Sequence, residues 1–286
     1  MKKVEYETIL KPNRSWFDLE LKDFIHYRDL LLLLVYRDFV ARFKQTILGP
    51  AWLVLQPLLG SVVFTLIFGV VAGMPTDGLP TFLFYLCGQL GWNYFAHTYG
   101  SSAGTLQQNS SLFGKVYFPR LIPPVSVCIS NLITYAIQLL VFTGFWLYFK
   151  TKGGYSFNIS YWIFLLPIVL LQKALLAMGL GFLMSALTVK YRDFGQLSGF
   201  IMQLMMYCTP IIYPLSLLIQ RIPDNYQWII HLNPLAFIIE MYRLMLLGTG
   251  TIPLLLPMTS WIITLVLFLS GLMVFNKVQR TYVDYL

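Results

Sequence analysis

Residues 161–189 read YWIFLLPIVLLQKALLAMGLGFLMSALTV, and Lys173 is the one charged side chain in this run. An α-helix needs about 20 predominantly apolar residues to cross the hydrocarbon core of a bilayer. The run is long enough for one complete crossing, so it predicts a transmembrane helix. Lys173 does not contradict this, because a buried lysine can snorkel or bond to backbone carbonyls. A position facing a pore is a second interpretation of Lys173.

The rest of the chain repeats this pattern. Hydrophobic residues make up 57% of the 286 residues and charged residues only 11%, whereas a soluble domain carries about 25% charge. This composition argues against a soluble enzyme, a disordered chain and a disulfide-rich secreted domain. We predict an all-α polytopic membrane protein with six transmembrane helices. The predicted spans are 51–73, 79–104, 121–149, 161–189, 194–220 and 253–275.

The positions of the basic residues predict the orientation. Of the 20 Lys and Arg residues, fifteen fall before the first span, in the loops after the second and fourth spans, or in the tail, and four fall in the opposite loops. Cytoplasmic loops carry an excess of Lys and Arg. Both termini are therefore expected in the cytoplasm. The predicted organisation is a cytoplasmic segment 1–50, a six-span domain 51–276 and a cytoplasmic tail 277–286.

The segment 24–48 carries a leucine run that is too short and too closely flanked by charges to be a span. At 100° per residue, some of its apolar residues form one stripe, while Arg37, Asp38, Lys44 and Gln45 point the other way. The stripe is formed by Ile25, Leu32, Tyr36, Phe39 and Phe43. This pattern is typical of an amphipathic helix that lies in the membrane interface. A soluble helix packed on a partner is the alternative.

The loop 221–250 is too apolar to lie in water, yet its uncharged stretch, 225–239, is too short to span the membrane. Asn233 and Pro234 interrupt it, and two short helices broken there predict a re-entrant outer hairpin. A surface hairpin on the outer leaflet is the alternative. Glu240 and Arg243 lie three residues apart and are expected to pair on one helix, near the headgroups, where an exposed pair contributes about 0–1 kcal/mol.

The sequence carries no nucleotide-binding or catalytic motif. A Walker A motif, HExxH and GxSxG are absent, and the three histidines are scattered. Acidic residues inside the spans, which ion-coupled carriers use, are also missing. No catalytic residue and no metal site are predicted, and the energy for transport is expected to come from another subunit.

Aromatic side chains are abundant, with 22 Phe, 18 Tyr and 7 Trp. Most are expected in interface belts, but some cluster with amide side chains inside predicted spans. Ring faces together with hydroxyl and amide groups suit the surface of a sugar. The predicted channel-lining aromatics are Trp92, Tyr94, Phe95, Tyr99, Tyr207 and Tyr213.

Five motifs occur in one order along the chain. The first comprises YRD at 36–38, RFKQ at 42–45 and LGPAW at 48–52. The other four are NSSLFGKVYFPR at 109–120, YRD at 191–193, TPIIYP at 209–214 and NPL at 233–235. Together they resemble the ABC-2-type permeases that export polysaccharides, above all the O-antigen exporters. Each motif alone is weak evidence, but five in order are specific.

The resemblance implies a homodimer of six-span subunits in the cell inner membrane, working with two copies of a separate cytosolic ABC ATPase. ATP and Mg²⁺ would bind to that ATPase, and this chain would need no cofactor. The substrate would be a polysaccharide on an undecaprenyl-type lipid. The resemblance assigns ATPase coupling to Arg42, Phe43, Lys44, Gln45, Ser110, Ser111, Leu112, Phe113 and Lys115. It adds a cytoplasmic motif of Tyr191, Arg192 and Asp193, and a periplasmic gate of Ile229, Ile230, Leu232, Asn233, Pro234, Glu240 and Arg243.

Other functions stay open at this point. A permease for teichoic acid, capsule, drug or lipid export has a similar sequence pattern. A membrane glycosyltransferase is the alternative from a different class, but it would need an acidic cluster near a wet loop, and the candidate aspartates are dispersed.

Overall fold

The computed structural model describes residues 27–109, 118–152, 157–191 and 193–281. Within these ranges the protein is all-α and contains no strand. The amino-terminal helix is α1 (Arg28–Ala41), and the long helices that follow pack side by side. They are α2 (Trp52–Phe64), α3 (Thr81–Ala103), α5 (Ile122–Lys152), α6 (Leu166–Lys190), α7 (Phe194–Cys208), α10 (Pro234–Leu247) and α11 (Leu256–Thr281). Short helices α4 (Thr105–Gln108), α8 (Leu215–Arg221) and α9 (Trp228–His231) connect them.

Several helices are extended by tighter or wider turns. A 3₁₀ turn at Gly49–Ala51 precedes α2, and α2 continues as a π-helix over Thr65–Val71. A 3₁₀ helix at Tyr161–Leu165 leads directly into α6, and Ser160 caps it by accepting a hydrogen bond from the Trp162 backbone N–H. Another at Asp224–Tyr226 precedes α9.

Four helices of the described residues are long and apolar enough to cross a membrane. They are Gly49–Val71, Ile122–Lys152, Tyr161–Lys190 and Leu256–Gln279, which confirms the first, third, fourth and sixth predicted spans as apolar helices. The second is present as the 23-residue helix α3. It is long enough to cross but less apolar than these four. The chain is thus a multi-pass membrane protein, while the count of six spans stays a prediction.

The fifth predicted span is not one continuous helix. Helix α7 ends at Cys208 after 15 residues, and Thr209 takes an extended conformation. Pro210 and Pro214 explain the break, because proline lacks a backbone N–H and disfavours helical geometry at the residue before it. The chain resumes helical structure in α8 only at Leu215.

The segment 221–250, predicted as an outer hairpin, has the expected break. The segments Asp224–His231 and Pro234–Leu247 are bent by 85° relative to each other, and together they are apolar enough to count as a fifth span or a re-entrant loop. The side chain of Asn233 accepts a hydrogen bond from the Leu235 N–H and so caps α10. Gly248 ends α10 with a φ of 72°, a conformation that favours glycine.

Helix α1 confirms a helix in the predicted interface segment, but its faces differ from the predicted stripe. Leu34 and Val35 are buried in its contact with the bundle, where α5 is its main neighbour. Leu32 and Tyr36, which belong to the predicted stripe, are exposed together with Leu33. Apolar side chains therefore lie on both the packed and the exposed face, and an interfacial position of the exposed face stays a prediction.

The core of the described bundle lies between α3, α6, α10 and α11. Helix α6 packs most extensively against α11 and α3. The close approach of α6 and α11 occurs at Gly179 and Gly271, where a side chain on either residue would collide with the facing backbone. Small residues allow such contacts in membrane bundles.

Candidate functional site

The return helix of the predicted outer hairpin, α10, lies inside the bundle. Thirteen of its 14 residues are buried, so it is not the surface helix that the alternative interpretation described. Its amino end is fixed on two sides. The Asn233 side-chain amide donates to the carbonyl oxygen of Cys208 and to the Thr209 hydroxyl, and Ser260 donates to the carbonyl oxygen of Pro234.

Glu240 and Arg243 form a salt bridge of 3.0 Å between Oε2 and Nη1, as the spacing predicted. The expected exposed position was wrong, because both side chains are buried. Helix α10 carries them into the protein, so water does not screen the pair. Arg243 also donates to the carbonyl oxygens of Ile211 (3.1 Å) and Tyr213 (3.4 Å). The ion pair therefore joins α10 to the proline-rich break that follows α7.

Both residues of this pair make further contacts. The Thr251 N–H donates to Glu240 Oε1 at 3.0 Å, and the Arg243 guanidinium carbon lies 3.9 Å from the centre of the Phe84 ring on α3. A buried charge needs such partners, since an uncompensated one is costly. The sequence showed the pairing but gave no indication of these additional contacts.

Lys173 is completely buried in the first half of α6. Its Nζ donates to the hydroxyl of Tyr242 on α10 at 2.9 Å. It therefore does not snorkel to the surface of the chain, and it bonds to no backbone carbonyl of the described residues. Sequence reasoning singled out Lys173 but missed Tyr242, because one apolar helix gives no sign of which residue of another it will meet.

The predicted lining aromatics fall into two groups. Trp92, Tyr94, Phe95 and Tyr99 are buried inside this chain. Tyr207 is exposed, and Tyr213 is half-buried, with its hydroxyl donating to the Tyr207 carbonyl oxygen at 2.9 Å. Of the six predicted residues, only Tyr207 and Tyr213 are accessible from outside the chain, and a channel-lining role for all six stays a prediction.

The first predicted coupling segment follows α1. Arg42 is half-buried and donates to Asn131 Oδ1 on α5 at 2.5 Å, and Asn131 in turn donates to Thr98 on α3 at 3.0 Å. Burial lowers the pKa of the Arg42 guanidinium, while the carboxylate of Asp38 raises it. The guanidinium stays charged at neutral pH, because an arginine pKa lies far above 7.

The neighbours of Arg42 are more accessible. Phe43 is half-buried and packs its ring against Phe39 at 5.3 Å, whereas Lys44 and Gln45 are exposed. Gln45 has a φ of 68°. This segment thus combines one residue anchored in the bundle with two that are free to meet another protein.

Part of the predicted site lies outside the described residues. This applies to Ser110, Ser111, Leu112, Phe113, Lys115 and Arg192. Of the second YRD motif, Tyr191 and Asp193 are exposed at the junction of α6 and α7. In the predicted gate, Ile229 and Leu232 are exposed and Ile230 is buried.

The sequence places this arrangement in a known family. Residues 29–247 match the family described as ABC-2 type transporter, and the chain belongs to it. Its curated relatives include the O-antigen export system permease protein RfbA of Klebsiella pneumoniae, which is 27% identical over 90% of this chain and 95% of the relative. RfbA of Myxococcus xanthus is 28% identical over 78% of this chain and 82% of its own length. The polysialic acid transport protein KpsM of Escherichia coli is 25% identical over 73% and 78%.

Proposed function

We propose that this protein is the membrane-spanning subunit of an ATP-driven exporter that moves a lipid-linked, O-antigen-like polysaccharide across the inner membrane. The similarity to O-antigen export permeases over nearly the full length of both chains is the observation that carries this proposal. Membership of the ABC-2 family supports the general class. The chain would work as a homodimer, with the channel at the interface and both termini in the cytoplasm.

The energy would come from two copies of a cytosolic ABC ATPase, which would bind ATP and Mg²⁺. The exposed Lys44 and Gln45 and the loop around Phe113 would contact this ATPase. Arg42 would carry the resulting movement into the bundle through its hydrogen bond to Asn131. Aromatic side chains would guide the glycan, because sugar rings stack on aromatic faces.

Capsule export is the second candidate. It is supported by the similarity to KpsM, which covers 73% of this chain. The two candidates differ in the polymer that is carried, and the channel would use the same physical chemistry in both.

Complementation tests the proposal directly. The chain would be expressed with the ATPase encoded beside it, in one strain that lacks its O-antigen permease and in another that lacks its capsule permease. We expect surface O-antigen to return in the first strain only when both proteins are present and the ATPase can hydrolyse ATP. Return of capsule alone would favour the second candidate. Export without a functional ATPase, or no export in either strain despite normal membrane insertion, would contradict the mechanism.

A further inference from the structure

The most unusual group in the described bundle is the ammonium of Lys173. It lies 12 residues after Tyr161 in a helix of 30 residues that is apolar enough to span the membrane, which places it about 18 Å from the outer end at a rise of 1.5 Å per residue. The side chain is fully buried. Within the described residues it forms no salt bridge.

Three tyrosine rings surround this ammonium. Nζ lies 4.4 Å from the ring centre of Tyr242, 4.7 Å from that of Tyr135 and 5.0 Å from that of Tyr94. These distances are within the range in which a cation is attracted to the face of an aromatic ring. The rings belong to α10, α5 and α3, respectively, so the cage joins three helices to α6.

The nearest carboxylate along α10 is not available to this lysine. Glu240 is paired with Arg243 and accepts a hydrogen bond from Thr251. A charge buried without a counterion is strongly disfavoured. Among the described residues, the Tyr242 hydroxyl and the three rings are the groups in contact with Nζ that can offset part of this cost. A neutral amine could form the same hydrogen bond but would gain little from the rings, so the attraction of the rings is what distinguishes a charged lysine from a neutral one at this position.

We propose that Lys173 is a charged pin that fixes the return helix of the outer hairpin to the bundle through the cage of Tyr94, Tyr135 and Tyr242. Tyr242 and Arg243 are neighbours on α10, so the pin and the buried ion pair hold the same turn from two sides. The return helix is thereby a fixed support. Movement of the outer gate is confined to the first arm, Asp224–His231, whose residues are mostly exposed.

The charge of Lys173 can be tested by lowering the electron density of one ring of the cage in steps. Tyr135→Phe keeps the ring, and phenylalanines with one, two and three fluorines at position 135 then withdraw electron density from its face without large changes in shape. For the purified full-length chain, we expect the midpoint of thermal unfolding to fall stepwise, by about 2–4 °C across the series. The same series at Phe142 is the control, because Phe142 is buried on the same helix but is not one of the rings around Lys173. A flat response at position 135, or equal responses at both positions, would overturn the charged pin.

The mechanical role needs a reporter on α10. Leu246 is buried on this helix, and Leu246→Cys is introduced after the exposed Cys208 has been replaced by Ser. With Lys173 intact, we expect a polar maleimide to leave position 246 unmodified. Adding Lys173→Met should raise labelling at 246 at least several-fold. In a parallel variant, Leu106→Cys serves as the reporter of general unfolding, because Leu106 is buried in a separate cluster with Phe182 and Phe275.

Site-resolved mass spectrometry distinguishes the outcomes. Labelling at 246 with position 106 still protected supports a local release of α10. Continued protection at 246, or equal labelling at positions 106 and 246, contradicts the pin. Neither measurement depends on what the protein transports.

The consequence for the gate rests on the proposed function. Lys173→Met should lower export, whereas Lys150→Met, which changes an exposed lysine on α5, should not. If the labelling result holds and export by Lys173→Met stays normal, the pin does not position the gate. If the unmodified chain with its ATPase exports nothing, the proposed function fails while the labelling result stands.

Discussion

Gly179 on α6 and Gly271 on α11 lie back to back where the two helices cross, and neither position has room for a side chain. A Cβ atom on Gly179 would lie 2.6 Å from the Cα atom of Phe268 and 2.8 Å from the carbonyl oxygen of Leu267. At either glycine, an added Cβ would collide with backbone atoms of the facing helix, which cannot rotate away as a side chain could. This crossing fixes α11 against the helix that carries Lys173.

We therefore expect Gly179→Ala and Gly271→Ala to destabilise the bundle, each by about 1–3 kcal/mol, as overpacking does. Gly144→Ala on α5 is the matched control, because nothing lies within 4 Å of a Cβ at that position. Alanine there should be neutral or stabilising by up to about 1 kcal/mol. Thermal unfolding in detergent would measure all three. Equal stability of the Gly179 and Gly144 variants would show that the helices are less closely packed than described.

The buried pair of Glu240 and Arg243 predicts a non-additive mutant cycle. Arg243→Met should cost about 3–5 kcal/mol, because it leaves a carboxylate inside the protein without its cation. The double variant Glu240→Gln/Arg243→Met should recover part of this loss. It should not recover all of it, since the carbonyl oxygens of Ile211 and Tyr213 still lose their donor. A cycle based on thermal unfolding would contradict the role of the pair if the two single effects simply add.

Arg42 and Arg37 should respond differently to the same change. Arg42→Gln removes a guanidinium that is bonded to Asn131 in the bundle, whereas Arg37 is exposed and pairs only with its neighbour Asp38 among the described residues. We expect Arg42→Gln to reduce export several-fold while the protein still inserts and binds its ATPase. Arg37→Gln should change stability by less than about 1 kcal/mol and leave export near normal. Loss of ATPase binding in the Arg42 variant would place this residue in the subunit contact instead.

Substitutions in the first arm of the hairpin can test the proposed gating role separately from the stability of the fold. Ile229 and Leu232 are 48% and 59% exposed, whereas Ile230 is only 7% exposed. We expect Ile229→Ser and Leu232→Ser together to preserve folding and let small ions leak through reconstituted protein, because apolar constrictions seal a pore by excluding water. Ile230→Ser should lower the unfolding midpoint, since it places a hydroxyl in the core. A tight Ile229/Leu232 double variant in a liposome flux assay would contradict the gate.

Much of the fold could be predicted because the length of an apolar run can be read from the sequence of that run alone. The runs at 51–73, 121–149, 161–189 and 253–275 all form long apolar helices. The break at Asn233 and Pro234 was also predictable, since both residues act on their own backbone. The fifth span was predicted as continuous because counting charges ignores Pro210 and Pro214, which end α7 at Cys208.

The candidate site was less predictable. The spacing of Glu240 and Arg243 identified their contact, but the depth of α10 could not be read from the segment itself. An apolar helix that carries one charged pair is compatible with both a surface position and a buried one. The aromatic residues of α3 gave the same difficulty, because rings that face lipid, a channel or the protein core have the same sequence pattern.

The sequence by itself determined the class of this protein, the positions of most of its helices and its membership of the ABC-2 family. These follow from composition, from the length of apolar runs and from motif order, which need no knowledge of neighbours. Only the tertiary structure decided that Lys173 meets three tyrosines, that Arg42 reaches Asn131 and that α10 is buried. Each of these depends on the packing of helices that are distant in sequence. In a chain whose helices are apolar on nearly every face, periodicity does not specify which faces meet.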